Sequence, residues 1–473
     1  MKHNKTKSAT THAGRPVDIV NSTFCIKPWL HSAITSGGTY RMCCECVFWR
    51  QDGPEYNYGK LAKEDGTYYQ ASVDSIESTR NAQILKDVRA SMLRGEKHPE
   101  CVYCWSNEAM SAWSTRIGYT QRYQHEIDTC IRHTSEDGTI ETEKLPMRYF
   151  DVRLGNTCNL KCRMCSPTDS SLWLSDYMQL HPNEDRIHAY DVEFEIYKNE
   201  KNDDTTMIEA WNKESYVEDL IQHIPHMDRI YMTGGEPTVI PEYWKLLRLI
   251  IEQGYSKSIS LDYNSNMFLI PKYAWDIWKE FKNVRMTMSI DGMGKVQEYI
   301  RAPSNWDTIK RNIYKFHDLA KNHSNIEAAI APTITIYNVL HMPDLVKWYL
   351  EQNFNRNFDA VPTVHLCYGP PHLTPQVFPR NQKYLIVEKY NKLFDWADKN
   401  YEAKFANFIK EKYQTIVDFS LKEDTEDLPI DPNWPRSRKD RFLDYNKKLD
   451  AIRKESLEEC IPELFEAIKH YDT

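Results

Sequence analysis

The 473-residue sequence contains no apolar run near the ~20 residues that a membrane-spanning helix needs. Its opening, "MKHNKTKSATTHAGRPVDIV", is basic but lacks an apolar signal core, so export is not expected and a cytoplasmic location is. There is no excess of positive charge. Against 60 basic residues stand 68 acidic ones, a formal charge of -8, which disfavours nucleic acid or an anionic membrane as the main partner. A Ser–His–Asp set, a phosphate-binding glycine loop, a nucleic-acid-binding module and an internal repeat are all missing. What is left is an ordinary globular composition, 41% hydrophobic and 27% charged, long enough for two or three domains.

Cysteine is not scarce: there are 12, unevenly placed. In a reducing compartment, clustered thiols serve as metal ligands rather than disulfides. Cys130, Cys367 and Cys460 stand alone and read as small buried apolar residues. Cys25, Cys43, Cys44, Cys46, Cys101 and Cys104 form one group, and Cys158, Cys162 and Cys165 another.

The chain divides by pattern. Residues 1–20 are polar and read as a flexible lead-in. Residues 21–145 are loop-rich, with one clear helical stretch, "TRNAQILKDVRASMLRGE". From 146 to 380, apolar runs such as "RYFDVRLG", "DRIYMTGGEP", "SISLDYNSN" and "VRMTMSIDG" alternate with helical stretches. That alternation predicts a parallel sheet with crossover helices, a partial barrel whose chemistry sits at the C-terminal strand ends. "HPNEDRIHAYDVEFEIYKNEKNDD" reads as a charged excursion within it, and residues 381–473 as an α-helical extension.

The trio lies in "GNTCNLKCRMCSPTDSS", directly after the first barrel strand. Three thiolates can hold three irons of a [4Fe–4S] cluster and leave the fourth iron open. An open position distinguishes a reactive metal site from a structural one. A zinc knuckle that borrows a distant ligand is the plainer alternative.

The three-and-two spacing of Cys158, Cys162 and Cys165 resembles that of the radical S-adenosylmethionine (SAM) superfamily. The resemblance implies a partial (β/α)6 TIM-like barrel in which SAM chelates the open iron and is cleaved to a hydrogen-abstracting 5′-deoxyadenosyl radical. It also implies an external electron donor such as flavodoxin or ferredoxin. "TGGEP" places Gly234, Gly235 and Glu236 where the family binds the SAM amino group. "NSN", beginning at Asn264, and "SIDG", containing Ser289 and Asp291, fall where it contacts the ribose and carboxylate. Arg301 is either a partner of the SAM carboxylate or a surface arginine. Met164 replaces the usual aromatic residue near the adenine, and a thioether can still pack on a ring.

Cys25, Gly38 followed five positions later by Cys43, and the pair Cys101 and Cys104 resemble the twitch domain, a reduced relative of the SPASM domain. That resemblance implies an auxiliary [4Fe–4S] cluster with four thiolates, Cys44 and Cys46 competing with Cys43 for the second place. The order departs from the pattern, since here these thiols precede the barrel. A zinc ribbon is the alternative. Taken together, the expected activity is oxidation or crosslinking of a peptide, protein or small metabolite. The rivals are radical rearrangement with SAM recycling and a non-catalytic iron–sulfur sensor, against which the intact "GGE" and "SIDG" motifs argue.

Overall fold

Strand and helix segments alternate along the middle of the chain, and most of the strands return to one sheet. The computed structural model describes residues 23–46, 59–111, 114–182, 213–424, 428 and 434–471, with the short stretches 9–10, 16–17, 186–189, 192–198 and 205–207. The lead-in expected over 1–20 therefore lies outside the described residues, apart from the antiparallel pair Ala9–Thr10 and Pro16–Val17. Strands are numbered here as β1 (His31–Ile34), β2 (Tyr40–Arg41), β3 (Tyr149–Arg153), β4 (Arg229–Thr233), β5 (Ser260–Ser265), β6 (Asn283–Met288), β7 (Ile326–Ile330), β8 (Thr333–Ile334) and β9 (His365–Leu366).

One seven-stranded sheet has the order β7-β6-β5-β4-β3-β1-β2, and every neighbouring pair is parallel except β1 with β2. Helices Pro241–Glu252, Trp306–Asn322 and Met342–Glu351 lie in the crossovers, as a parallel sheet requires. Beyond β7 the sheet continues as a broken sixth barrel position. Ala328 bridges Phe358 in parallel, Thr363 N donates to Ile330 O at 2.8 Å, and β8 pairs with β9. This is the α/β partial barrel expected from the sequence, followed by C-terminal helices from Tyr384–Asn400 to Pro462–Ile468. The charged excursion contains the antiparallel strands Arg186–Ala189 and Val192–Lys198, and the second also pairs with Thr205–Met207 just beyond it. Among the described residues no helix is long and apolar enough to cross a membrane.

The first thiol group brings its own strand to the barrel. β1 pairs with β3 in the register His31 to Tyr149 and Ala33 to Asp151, so residues 31–34 extend the barrel sheet at its edge. Gly38, with φ of +80°, makes the turn from β1 to β2.

Successive side chains of a strand point to opposite faces. One face carries Phe150, Val152, Ile230, Met232, Leu261, Tyr263, Val284 and Met286, all at most 1% exposed beneath the crossover helices. Trp278, fully buried, meets Trp244, Trp275, Tyr263 and Phe316 there. On the other face the paired register runs Asp151, Tyr231, Asp262, Arg285, Glu327. A parallel sheet is usually apolar on both faces, and a barrel interior is usually filled with branched apolar side chains. Here the inner face is polar, laced by Arg229 with Asp262 and by Arg285 with Asp359 at 2.8 Å. A polar inner face is suited to receive a polar ligand.

Candidate functional site

The four motifs converge because each follows a neighbouring parallel strand at the same edge of the sheet. The cysteine loop leaves β3, "GGE" leaves β4, "NSN" ends β5 and "SIDG" follows β6. Local hydrogen bonds fix the cysteine loop. Asn156 Nδ2 donates to Pro167 O at 2.7 Å, Trp173 Nε1 to Cys162 O at 2.7 Å, and Cys165 N to Cys162 O at 2.9 Å. Cys162 is buried, while Cys158 and Cys165 are half-buried. The Cys165 thiol and the Arg301 guanidinium pull Cys162 down to about 7 against its burial. Burial, with the charges of Cys162 and Glu236, pushes Cys158 up to about 12. Its hydrogen bond with Cys162 and burial together hold Cys165 well above its ordinary value. The three thiols are thus near enough to perturb one another.

The glycines of "GGE" are required by the chain itself. Gly235 N donates to Gly155 O at 3.1 Å and Glu236 N to Thr157 O at 2.8 Å, so this loop lies flat on the cysteine loop. Gly234 has φ of +93°, and a Cβ on Gly235 would stand 2.1 Å from Thr157 O. Gly235→Ala is expected to cost about 1–3 kcal/mol or more by overpacking and to loosen the cysteine loop. A lower melting temperature with reduced iron retention checks this, and an unchanged protein contradicts it.

Glu236, 2% exposed, ties three motifs together. Its Oε1 accepts from Thr238 N at 3.2 Å, Thr238 Oγ1 at 2.7 Å and Ser265 Oγ at 2.9 Å, and its Oε2 accepts from Asn266 N at 2.7 Å. Burial still raises its pKa. Asn266 Nδ2 then donates to Asn159 Oδ1 at 2.9 Å, back in the cysteine loop. Asn264 Nδ2 donates to Tyr231 Oη at 2.6 Å, and Ser289 N to Ser265 O at 2.8 Å.

Asp291 is fully buried and already engaged. It accepts from Arg301 Nε at 2.6 Å and Thr333 N at 2.8 Å. Arg301 is not a surface residue: it is 8% exposed and its Nη1 lies 3.6 Å from Cys162 Sγ. Asp291 thus acts on the cysteine loop through Arg301. Met164 is half-buried at the margin of the core.

Nothing in the sequence pattern pointed to what lies behind the loop. Arg163, fully buried between two of the cysteines, donates to Tyr299 O at 3.1 Å, Asn446 Oδ1 at 3.2 Å, Asp450 Oδ1 at 2.5 Å and Glu455 Oε2 at 2.6 Å. Its guanidinium stacks 3.6 Å from the centroid of Tyr299. Tyr445 Oη donates to Arg163 O at 2.7 Å, and Arg453 Nε pairs with Asp176 at 2.7 Å, which also holds Lys161. The C-terminal helix Arg438–Arg453 is therefore a brace for the thiol loop.

The first thiol group also comes together. Cys25, Cys43, Cys46, Cys101 and Cys104 line one pocket with Lys27 and Arg116. Arg116 is fixed by Glu108 at 2.8 Å. Burial raises the pKa of Cys25 and pushes that of Cys104 to about 12. Cys44 does not line this pocket. Its sulfur is 3.2 Å from Lys27 Nζ and within reach of His31 and Asp151. Of the three competing thiols, Cys43 and Cys46 face the other three. Clustered thiols beside basic side chains are a donor set that suits an iron–sulfur cluster, and both thiol groups have that character.

Residues 152–336 match the family model described as Radical SAM superfamily. No curated protein matches the chain. Among solved structures, native anSMEcpe with bound AdoMet is similar at 17% identity and a TM-score of 0.33, over 54% of this chain and 61% of that one. Streptococcus suis SuiB bound to S-adenosylmethionine is similar at 13% identity and a TM-score of 0.32, over 66% of this chain and 62% of that one. The chain spans about three fifths of the length of each. At TM-scores this low the likeness bears on neither activity nor substrate.

Proposed function

We propose that the chain is a SAM-dependent radical enzyme that oxidises or crosslinks a peptide, protein or small metabolite. The observation that carries this reading is the thiol trio at the end of β3 with the "GGE" loop hydrogen-bonded flat against it, at the rim of a polar sheet face. In this reading residues 146–380 are the catalytic barrel, 21–145 carry an auxiliary cluster and 381–473 brace the barrel. Cys158, Cys162 and Cys165 would hold the first [4Fe–4S] cluster. Cys25, Cys101, Cys104 and one of Cys43 and Cys46 would hold the auxiliary one, with Lys27 and Arg116 offsetting its charge.

When bound, the reduced cluster and SAM together supply hydrogen abstraction through a 5′-deoxyadenosyl radical. Arg301 beside Cys162 favours the thiolate form that a cluster needs. Gly234, Gly235 and Glu236 form the rim for the SAM amino group, with Oε2 of Glu236 engaged by only one donor among the described residues. Asn264, Ser289 and Met164 stand around the same rim. Substrate would be oriented by the polar row from Asp151 to Glu327, and excluded from water by the walls of the barrel. An external flavodoxin- or ferredoxin-like protein would supply the electron.

Adding SAM to the reduced, iron-loaded chain should change the electron paramagnetic resonance of the cluster held by the trio and leave the auxiliary signal in place. Identical spectra with and without SAM would contradict the reading.

A further inference from the structure

The thiol left out of the pocket points to a third site. Cys44 sits in the loop after β2, His31 opens β1, and Asp151 lies at the middle of β3. The register pairs His31 with Tyr149, their rings tilted at 39° with centroids 4.5 Å apart, so His31 and Asp151 share one face as diagonal neighbours. One imidazole nitrogen, the Cys44 sulfur and one Asp151 oxygen all lie within 4.8 Å of one another.

His31 and Asp151 are buried, and Cys44 is half-buried. His31 is 6% exposed and Asp151 0%, and neither ring nitrogen nor either carboxylate oxygen has a hydrogen-bond partner among the described residues. Buried polar atoms are nearly always satisfied, because an orphan keeps the full desolvation penalty. One orphan nitrogen and one orphan oxygen beside a sulfur call for a shared partner. We infer that His31, Cys44 and Asp151 bind a divalent metal ion of the zinc class, at a site distinct from both thiol groups. The inference does not depend on the radical reading.

The donor types select the ion. One nitrogen, one sulfur and one oxygen suit zinc, whereas calcium and magnesium demand oxygen alone. Three protein ligands leave a fourth position open, as in a site that takes a ligand. Asp151 belongs to the polar row of the inner face, so the ion would lie on that face. An ion there can polarise a carbonyl or carboxylate oxygen of a bound molecule as a Lewis acid.

Two cations compete with the metal. Lys27 Nζ is 3.2 Å from Cys44 Sγ and Arg153 Nε is 3.7 Å from Asp151 Oδ1. Lys27 has a second anchor, since Cys43 Sγ is 3.7 Å away and the Tyr119 ring 4.5 Å. Metal binding therefore shifts Lys27 onto Cys43, and removing its charge should tighten metal binding.

The test uses the full chain, purified without oxygen, loaded with iron and then equilibrated with zinc and desalted. The expected result is about one zinc per chain, with an X-ray absorption shell of one sulfur near ~2.3 Å and nitrogen or oxygen near ~2.0 Å. Cys44→Ser, His31→Gln and Asp151→Asn should each lower zinc at least tenfold and leave iron unchanged, while Lys27→Gln should retain zinc more tightly against a chelator. His31→Gln, at a strand end, keeps the test alive if the Asp151 variant does not fold. Zinc absent from the iron-loaded chain would overturn the inference. So would zinc in a shell of three or four sulfurs that survives these substitutions, because that metal would sit among Cys25, Cys43, Cys46, Cys101 and Cys104.

Discussion

Replacing Cys158, Cys162 and Cys165 together by Ala is expected to remove about four irons per chain and to abolish SAM cleavage, with the auxiliary iron retained. The two thiol groups occupy different elements: the trio is held by Asn156, Trp173 and the "GGE" loop, the other by β1, β2 and Arg116. Neither group supplies a thiol to the other, so loss should be confined to one. Iron counting with the spectrum of the remaining cluster decides the matter. Unchanged iron would move the trio to a structural role.

The second large effect concerns the brace. Arg163→Met removes a fully buried cation and leaves Asp450 and Glu455 without their partner. Breaking such a buried set typically costs about 3–5 kcal/mol. Asp450→Asn should act in the same direction, since Asp450 also accepts from Leu457 N at 3.0 Å and Tyr299 Oη at 2.9 Å. Both variants should lose iron from the trio more readily than from the auxiliary thiols. Lys410→Ala is a control on the same extension: its pair with Asp398 at 2.6 Å is exposed and worth about 1 kcal/mol or less. Iron loss from both thiol groups at equal rates would mean general destabilisation, and the brace assignment would fail.

What the sequence made legible was periodic or clustered. Strand–helix alternation announced the parallel sheet, and each motif stood at a strand end because short polar stretches interrupt apolar runs there. The inner polar row was also written in "YFDVR" and "RIYMT", where polar residues alternate with apolar ones, yet single strands do not reveal their neighbours. The glycines of "GGE" stood out, but only the fold shows that the backbone they approach is Thr157. Choosing among Cys43, Cys44 and Cys46 needed the course of their loop, which spacing does not encode. The brace was hidden for a different reason. Helix Arg438–Arg453 is rich in charge, and a charged face usually meets water, so Asn446 on the buried face with Phe442, Tyr445 and Leu449 gave no signal. β1, only four residues long, was too short to read as a barrel strand.

The most direct measurement mixes the iron-loaded, reduced chain with SAM and quantifies 5′-deoxyadenosine. The account predicts its formation at about one equivalent per chain or more, dependent on reductant and absent from the Cys158, Cys162 and Cys165 triple variant. No 5′-deoxyadenosine from a chain whose trio carries its full iron and is reduced would contradict the central claim.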